Sequence, residues 1–287
     1  MKAYTGIVTL GVAFTFLLLA TSCQQATGAN SEQQHKPVAV RAGIDHSQWE
    51  RLLQQYVDPY GLVNYQAWKA SAADLEALSG YLQQFAAEPS APAQGSEQAA
   101  SLINAYNAFA ISWILENYPT LSIRSLEDSF AAKRHRIGGQ AVSLDDIEHG
   151  TLRPLLGYRV HATVVCAARS CPPLMREAYQ ADRLDEQLDQ AMVVWLARDD
   201  LNRYFPVESK AEVSSIFEFF PEDFEKAGGV RKVLQTHAPE MYRSFLETSG
   251  LELTYISYDW GLNDQAREGE RYGGLQYYWD EVRKRLG

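Results

Sequence analysis

Charge-free and periodic stretches divide the chain into predicted helices and short strands. Residues 102–115 carry no charged side chain, which indicates a helix buried on all sides but too short to cross a bilayer. Helical spacing of apolar residues predicts further helices over about 74–85, 182–196 and 230–247, and short runs at 204–207, 211–213 and 253–257 predict strands. The pattern predicts a helix-rich α+β single domain with a small, mainly antiparallel sheet.

The stretch 159–174 combines a predicted strand with two cysteines. Its β-branched residues at 160–165 predict a buried strand that belongs to the sheet and ends at Cys166. A loop with Cys171 and a Pro-Pro step follows, and one of these prolines predicts the first turn of a short helix. If the chain catalyses a reaction, we expect the reactive residues to lie at the end of this strand.

The N-terminus has the features of an export signal. Lys2 precedes an apolar run over residues 7–20, and the run ends in a segment that resembles a bacterial lipobox before Cys23. We predict a lipoprotein signal peptide over 1–22 and a lipidated Cys23, with a plain secretory signal as the alternative. By resemblance to proteobacterial lipoproteins, Gln24 favours an outer-membrane anchor that faces the periplasm, an oxidising compartment.

Composition and net charge limit the kinds of binding partner that we expect. The chain has 287 residues and a formal net charge of −10, which argues against binding nucleic acid. Residues 23–44 are poor in large apolar side chains, so we predict a flexible tether there and the folded domain over 45–264. The last segment, 265–287, is predicted to be an amphipathic extension. Membrane contact is expected only through the lipid, with an unknown small molecule or envelope protein as partner.

Polar groups interrupt two otherwise apolar helix faces. Asn104 and Asn107 share one face of the charge-free helix, where they either cross-link the core or face a site. Ser143 and Asp146 have the spacing of a capping box, and Glu148 falls on the apolar side of the helix that follows. A buried carboxylate needs a cation or a donor, in either a structural pair or a catalytic site.

The cysteines allow three kinds of chemistry. In an oxidising compartment, Cys166 and Cys171 are most simply a disulfide. Alternatively, Cys171 is a nucleophile at the predicted helix N-terminus, with His161 as base and Glu148 as orienter. The two asparagines would then donate hydrogen bonds to an oxyanion, as in a thiol hydrolase or acyl transferase of papain or transglutaminase type. We predict no cofactor; zinc held by these groups and His149 is a minor alternative, because the spacing matches no zinc pattern.

The alternative hypothesis is non-catalytic and uses the arginines. Arg153, Arg159 and Arg169 surround the same motifs and could clamp a carboxylate or phosphate, or else pair with Glu148. The protein would then be a ligand- or partner-binding envelope lipoprotein. The asparagines, the arginines and His149 would contact the ligand, and the two cysteines would form a structural disulfide.

Several sequence motifs, and the order in which they occur along the chain, resemble the bacterial domain-of-unknown-function family 547. They are Leu102-Ile-Asn-Ala-Tyr-Asn-Ala108, Ile137-Gly-Gly139, Ser143-Leu-Asp-Asp-Ile-Glu-His149, Arg159-Val-His161, Cys166-Ala-Ala-Arg-Ser-Cys-Pro-Pro-Leu174 and Tyr258-Asp-Trp-Gly-Leu-Asn263. The resemblance covers about residues 45–263. The resemblance implies no established activity. It identifies recurring motifs, and their chemistry follows only from the residues themselves.

Overall fold

The computed structural model describes residues 35–267. The predicted signal peptide and Cys23, and most of the predicted C-terminal extension, lie outside the described residues. The helices within 35–267 are α1 (Ser47–Tyr56), α2 (Tyr65–Ala70), α3 (Ala72–Gln83), α4 (Gly95–Asn117), α5 (Leu144–Ile147), α6 (Arg153–Leu156), α7 (Leu184–Leu196), α8 (Ile216–Phe219), α9 (Pro221–Lys226), α10 (Val230–His237) and α11 (Glu240–Leu246). No helix in this part of the chain has the length and apolar character needed to span a membrane.

The charge-free stretch is the middle of α4, the central helix of the first hydrophobic core. Every residue from 99 to 111 is buried, so the helix is enclosed on all sides as its sequence predicts. Helices α1, α2 and α3 pack nearby through large aromatic side chains, among them Trp49, Trp68 and Tyr81. Such an enclosed helix is a rigid support, and replacing Ile103 in it by alanine should cost about 2–5 kcal/mol of stability.

Within residues 35–267, five short strands form two small sheets, which confirms the predicted helix-rich α+β fold. The strands are β1 (His135–Ile137), β2 (Gln140–Val142), β3 (Arg203–Phe205), β4 (Lys210–Ser214) and β5 (Glu252–Ile256). Strands β1 and β2 form an antiparallel hairpin, β3 pairs with β4 antiparallel, and β4 pairs with β5 parallel. The three-stranded sheet packs with α7 to α11 in a second hydrophobic core.

The folded domain begins earlier than the predicted boundary at residue 45. Val38 and Val40 are buried in the first core, and the backbone N–H of Val38 donates to Thr151 Oγ1 at 2.8 Å. Arg41 forms a bridge with Pro92. The prediction of a flexible tether is therefore wrong for residues 35–42. Val38 and Val40 lie two residues apart, as buried side chains of an extended segment do, and the prediction did not use this alternation.

The predicted strand at 160–165 is not a strand. Gly157–Ala162 form a turn of 3-10 helix, and the chain then runs irregularly to Cys166. The side chain of Asn107 satisfies the backbone here, because its amide donates to Thr163 O at 2.9 Å and accepts from Val165 N at 2.8 Å. The β-branched run reflects burial and not membership in a sheet.

The short helix predicted after Cys171 is also absent from the structure, where residues 172–183 contain no helix. A residue before proline is biased towards extended backbone, and two successive prolines apply this bias twice. Cys171 therefore does not lie at a helix N-terminus, and any activation of its thiol must come from other groups.

Candidate functional site

A cavity of about 190 Å³ lies where the two cores meet, and we call it the thiol pocket. The predicted residues Cys171, His161 and Glu148 all line it, and so do Cys166 and His149. Its other lining residues are Tyr106, Arg124, Phe130, Asp145, Val164, Pro172, Ile216, Phe219, Phe220, Tyr258 and Trp260. The convergence expected from the sequence is therefore present.

The loop from Cys166 to Cys171 folds back on itself. Ala167 adopts a left-handed φ of 58°, an uncommon conformation for a residue with a side chain, and Cys171 N donates to Ala168 O at 3.1 Å. This geometry brings the backbone N–H of Cys166 to 3.1 Å from Cys171 Sγ. The loop thus presents an amide donor to its own second sulfur.

The segment after β5 holds this loop in place. Arg169 N donates to Gly261 O at 2.8 Å, and Asn263 N donates to Ala167 O at 3.0 Å. The same segment places the hydroxyl of Tyr258 at 3.2 Å from Cys171 Sγ and 3.5 Å from Cys166 Sγ. Residues 258–263 are therefore part of the site.

Hydrogen bonds distinguish the two sulfurs. Burial raises the pKa of Cys171, but hydrogen bonds with Cys166, Tyr258 and the backbone of Ala168 outweigh it, so the pKa is lowered from its ordinary value. The bond with Cys171, together with burial, raises the pKa of Cys166 well above its ordinary value. Both residues are free thiols in the structure, so the alternative disulfide is not formed there. Cys171 is the sulfur that ionises first.

His161 lines the same pocket and is paired with the buried Asp223. His161 Nε2 lies 2.9 Å from Asp223 Oδ2, and Phe220 stacks on the imidazole at 4.2 Å. Burial lowers the pKa of His161 against the opposing effect of Asp223, so the ring is neutral near pH 7. The carboxylate that contacts His161 is Asp223, and assigning Glu148 as its orienter is therefore wrong in this structure. Asp223 lies 62 residues away, with no local sequence signal.

Glu148 has a different environment from the predicted one. The capping box of Ser143 and Asp146 is confirmed and starts α5, but the helix widens into a π-helical turn from Glu148 to Leu152. Such turns are rare and often occur at functional sites. Burial raises the pKa of Glu148 to about 7, against the hydrogen bond from Tyr106. Glu148 therefore keeps its proton to a higher pH than an ordinary glutamate does.

His149 and Arg153 form a structural network beside the pocket. Arg153 Nε donates to Asp223 Oδ2 at 2.7 Å, and its NH2 group donates to Glu222 at 2.5 Å. The NH1 group lies 3.2 Å from His149 Nδ1. Burial and the charge of Arg153 lower the pKa of His149 to about 4. Arg153 therefore orders the aspartate that contacts His161 and does not pair with Glu148.

The other predicted ligand contacts do not converge on the pocket. Arg159 pairs with Asp185 at 2.7 Å and Asp189 at 3.1 Å, both on α7. Arg169 Nε donates to Leu262 O at 3.1 Å, and its side chain lines a separate cavity at the three-stranded sheet. The proposed arginine clamp is therefore not assembled in this structure.

The two asparagines of α4 cross-link the backbone. Asn104 donates to Tyr179 O at 2.8 Å and accepts from Tyr179 N at 2.9 Å. Asn107 makes the equivalent pair of bonds with the chain that leads to Cys166. Both asparagines are buried and neither lines the thiol pocket, so assigning them to a ligand or an oxyanion is wrong. They act on the site by fixing the cysteine loop to α4.

Metal ligands are not assembled in the described part of the chain. Within residues 35–267, no group of three or more histidine, cysteine, aspartate or glutamate side chains is arranged to hold a metal ion. The donors that line the pocket are engaged with one another, as the Cys171–Tyr258 and His161–Asp223 contacts show. The prediction of no cofactor, with zinc as a minor alternative, stays a prediction.

Fold and site together define a helix-rich α+β protein in which an acidic thiol and a histidine–aspartate pair share a pocket. A family model described as "Protein of unknown function, DUF547" matches residues 91–196, so the resemblance is confirmed over this range. The match includes Glu148, His161 and the cysteine loop but ends before Asp223 and Tyr258. Neither the curated proteins nor the solved structures yielded a match. The wider resemblance over 45–263 stays a prediction.

Proposed function

We propose that the protein is a thiol-dependent hydrolase or acyl transferase with Cys171 as its nucleophile. One observation carries the proposal: Cys171, with its lowered pKa, and His161, which is paired with the buried Asp223, line the same cavity. An activated thiol and an oriented imidazole in one recess are the minimum for acyl transfer through a covalent intermediate. The proposed role of Glu148 changes from orienter to neutral donor.

The proposed reaction uses each group once. With Nε2–H donated to Asp223, His161 keeps Nδ1 as an acceptor for the thiol proton. The Cys171 thiolate attacks the acyl carbonyl, a thioester forms, and the leaving group departs with the proton from the imidazolium. Water or an acceptor hydroxyl or amine then attacks the thioester, which releases the acyl product and restores the thiol. The protonated fraction of Glu148 can donate a hydrogen bond to the carbonyl oxygen.

Covalent labelling tests this proposal directly. The mature protein is treated with p-nitrophenyl acetate, and the acylated peptide is identified by mass spectrometry. We expect the acyl group on Cys171, its loss in Cys171→Ser, and acylation slowed by about 100-fold or more in His161→Gln. Met241→Ala, at a side chain that is 76% exposed, is the matched control. An acyl group on Cys166, or undiminished acylation of Cys171→Ser, would refute the assignment.

The non-catalytic alternative makes a different prediction about the thiols. A ligand- or partner-binding protein with a structural disulfide should show no free thiol from Cys166 and Cys171 when purified without reductant. The enzyme should show two, with Cys171 reacting faster. The side chain of Arg153 is occupied by Glu222 and Asp223, which removes one of the ligand contacts that the non-catalytic alternative requires.

We also propose that the protein is a lipid-anchored envelope protein attached through Cys23. The support is the apolar run that ends in Leu19-Ala-Thr-Ser-Cys23, and Gln24 favours the outer membrane. Labelling cells with a palmitate analogue should mark the wild-type protein and not Cys23→Ala. Incorporation that persists in Cys23→Ala would remove the basis for the anchor and leave the secretory alternative.

A further inference from the structure

One side of the thiol pocket is an aromatic wall formed by Phe130, Trp260, Tyr258 and Phe219. Successive ring centroids lie 6.4 Å, 4.6 Å and 5.5 Å apart in that order. The side chain of Phe219 is 47% exposed and the other three are partly buried, so the rings remain accessible. Apolar rings left open to a cavity next to reactive groups indicate a binding surface.

The pocket is small. Its volume of about 190 Å³ lies below the roughly 300–1,000 Å³ of pockets that hold drug-sized ligands. An apolar cavity of about 150 Å³ accommodates benzene. The thiol pocket therefore has space for a single six-membered ring with its attached carbonyl.

The wall also lies next to the reactive sulfur. Tyr258 belongs to the wall through its ring and touches Cys171 Sγ through its hydroxyl at 3.2 Å. A ring packed beside Tyr258, in the offset or edge-to-face geometry that aromatic groups prefer, can place its substituent close to the sulfur. The wall therefore suits the acyl group, whose carbonyl must reach Cys171, better than the leaving group.

We propose that the preferred substrates are esters, thioesters or amides of a carboxylic acid with a single aromatic ring, bound with that ring against the aromatic wall. This inference rests on the proposed function, because it assigns the acyl group of that reaction. In the proposed step the Cys171–acyl thioester forms as the bond to the leaving group breaks, with the proton passing to the leaving group. Water then releases the aromatic carboxylic acid and the free thiol.

Acylation rates with three esters test the inference. The mature protein reacts with p-nitrophenyl acetate, hexanoate and benzoate, and each rate is divided by the rate of a small free thiol with the same ester. We expect the normalised benzoate rate to exceed both others by about tenfold or more, as pocket contacts commonly allow. Trp260→Leu and Phe219→Ala should lower this preference at least threefold. Met241→Ala should leave it unchanged.

A second measurement separates the two ways in which the idea can fail. Cys171→Ser cannot form the thioester, and its binding of benzamide is measured by calorimetry against acetamide. Acylation at Cys171 with no benzoyl preference would overturn the substrate inference and leave the proposed function intact. If acylation is absent and benzamide still binds more tightly than acetamide, the proposed function is refuted and the pocket assignment is supported. Absent acylation with no preference for benzamide would overturn both.

Discussion

Removing the Tyr258 hydroxyl should weaken the acidity of Cys171. Tyr258→Phe keeps the ring in the aromatic wall and deletes one of the donors to the sulfur, the one at 3.2 Å. The Cys166 amide at 3.1 Å and the Ala168 backbone remain, so the loss is partial. A hydrogen bond to a charged group contributes roughly 1.5–3 kcal/mol. Sulfur is a weak hydrogen-bond acceptor, so we use the lower end of this energy range.

The reaction rate should change less than the acidity. About 1.5 kcal/mol corresponds to a rise of about one unit in the pKa of Cys171. Below that pKa the thiolate fraction then falls about tenfold, but the more basic thiolate is a better nucleophile. With a Brønsted slope of roughly 0.4–0.5, alkylation at a pH below that pKa should slow by about three- to fourfold.

Alkylation by iodoacetamide, followed by mass spectrometry of the Cys171 peptide across a range of pH, measures both quantities. Tyr255→Phe is the matched control, because Tyr255 lies three residues earlier on β5 and does not line the thiol pocket. Its profile should overlay that of the wild type. An unchanged or lowered pKa of Cys171 in Tyr258→Phe would show that the phenol does not stabilise the thiolate.

Three further predictions concern the scaffold. Asn107→Ala leaves two buried backbone groups unpaired and should cost about 2–5 kcal/mol in urea unfolding at pH 7. Burial lowers the pKa of His135 from 6.5 to about 4, so its contribution is present above pH 6.5 and lost as pH falls towards 4. His135→Gln should therefore reduce the acid-induced loss of stability by up to about 3 kcal/mol. Gly61→Ala should cost more than about 2 kcal/mol, because φ is +82° and its Cβ would lie 2.5 Å from Leu174 N.

Matched variants isolate each effect. Asn117→Ala loses a single bond to Trp113 within α4 and should cost less than Asn107→Ala. Gly43 also has a positive φ but no neighbour within 4 Å of an added Cβ, so Gly43→Ala measures the backbone term alone. Equal costs for the two glycine variants would contradict the predicted clash. A pH dependence of unfolding unaltered by His135→Gln would contradict the histidine assignment.

The elements that follow from hydrophobic periodicity were predictable. The charge-free stretch is α4, the amphipathic stretch at 182–196 is α7, and the strands near 204, 211 and 253 are β3, β4 and β5. The capping box was also predictable, because both of its partners lie within four residues. Each of these signals is local, and no distant group overrides it.

The errors arose where a distant side chain replaces local backbone pairing. Apolar, β-branched residues at 160–165 report burial correctly, but Asn107 from α4 supplies the hydrogen bonds that a neighbouring strand would have made. Site prediction has the same limit. Asp223 lies 62 residues from His161, and Tyr258 lies 87 residues from Cys171. Pairing across such distances depends on the three-dimensional fold and leaves no spacing to detect.

The docking of residues 258–263 against the cysteine loop has a consequence for the maturation of the protein. A chain that ends before Tyr258 retains both thiols but lacks the phenol and the backbone contacts that hold the loop. In such a fragment Cys171 would ionise like an ordinary thiol and react slowly near neutrality. The lowered pKa of Cys171 therefore depends on the docking of residues 258–263, and the labelling rate of Cys171 during refolding would report when that segment docks.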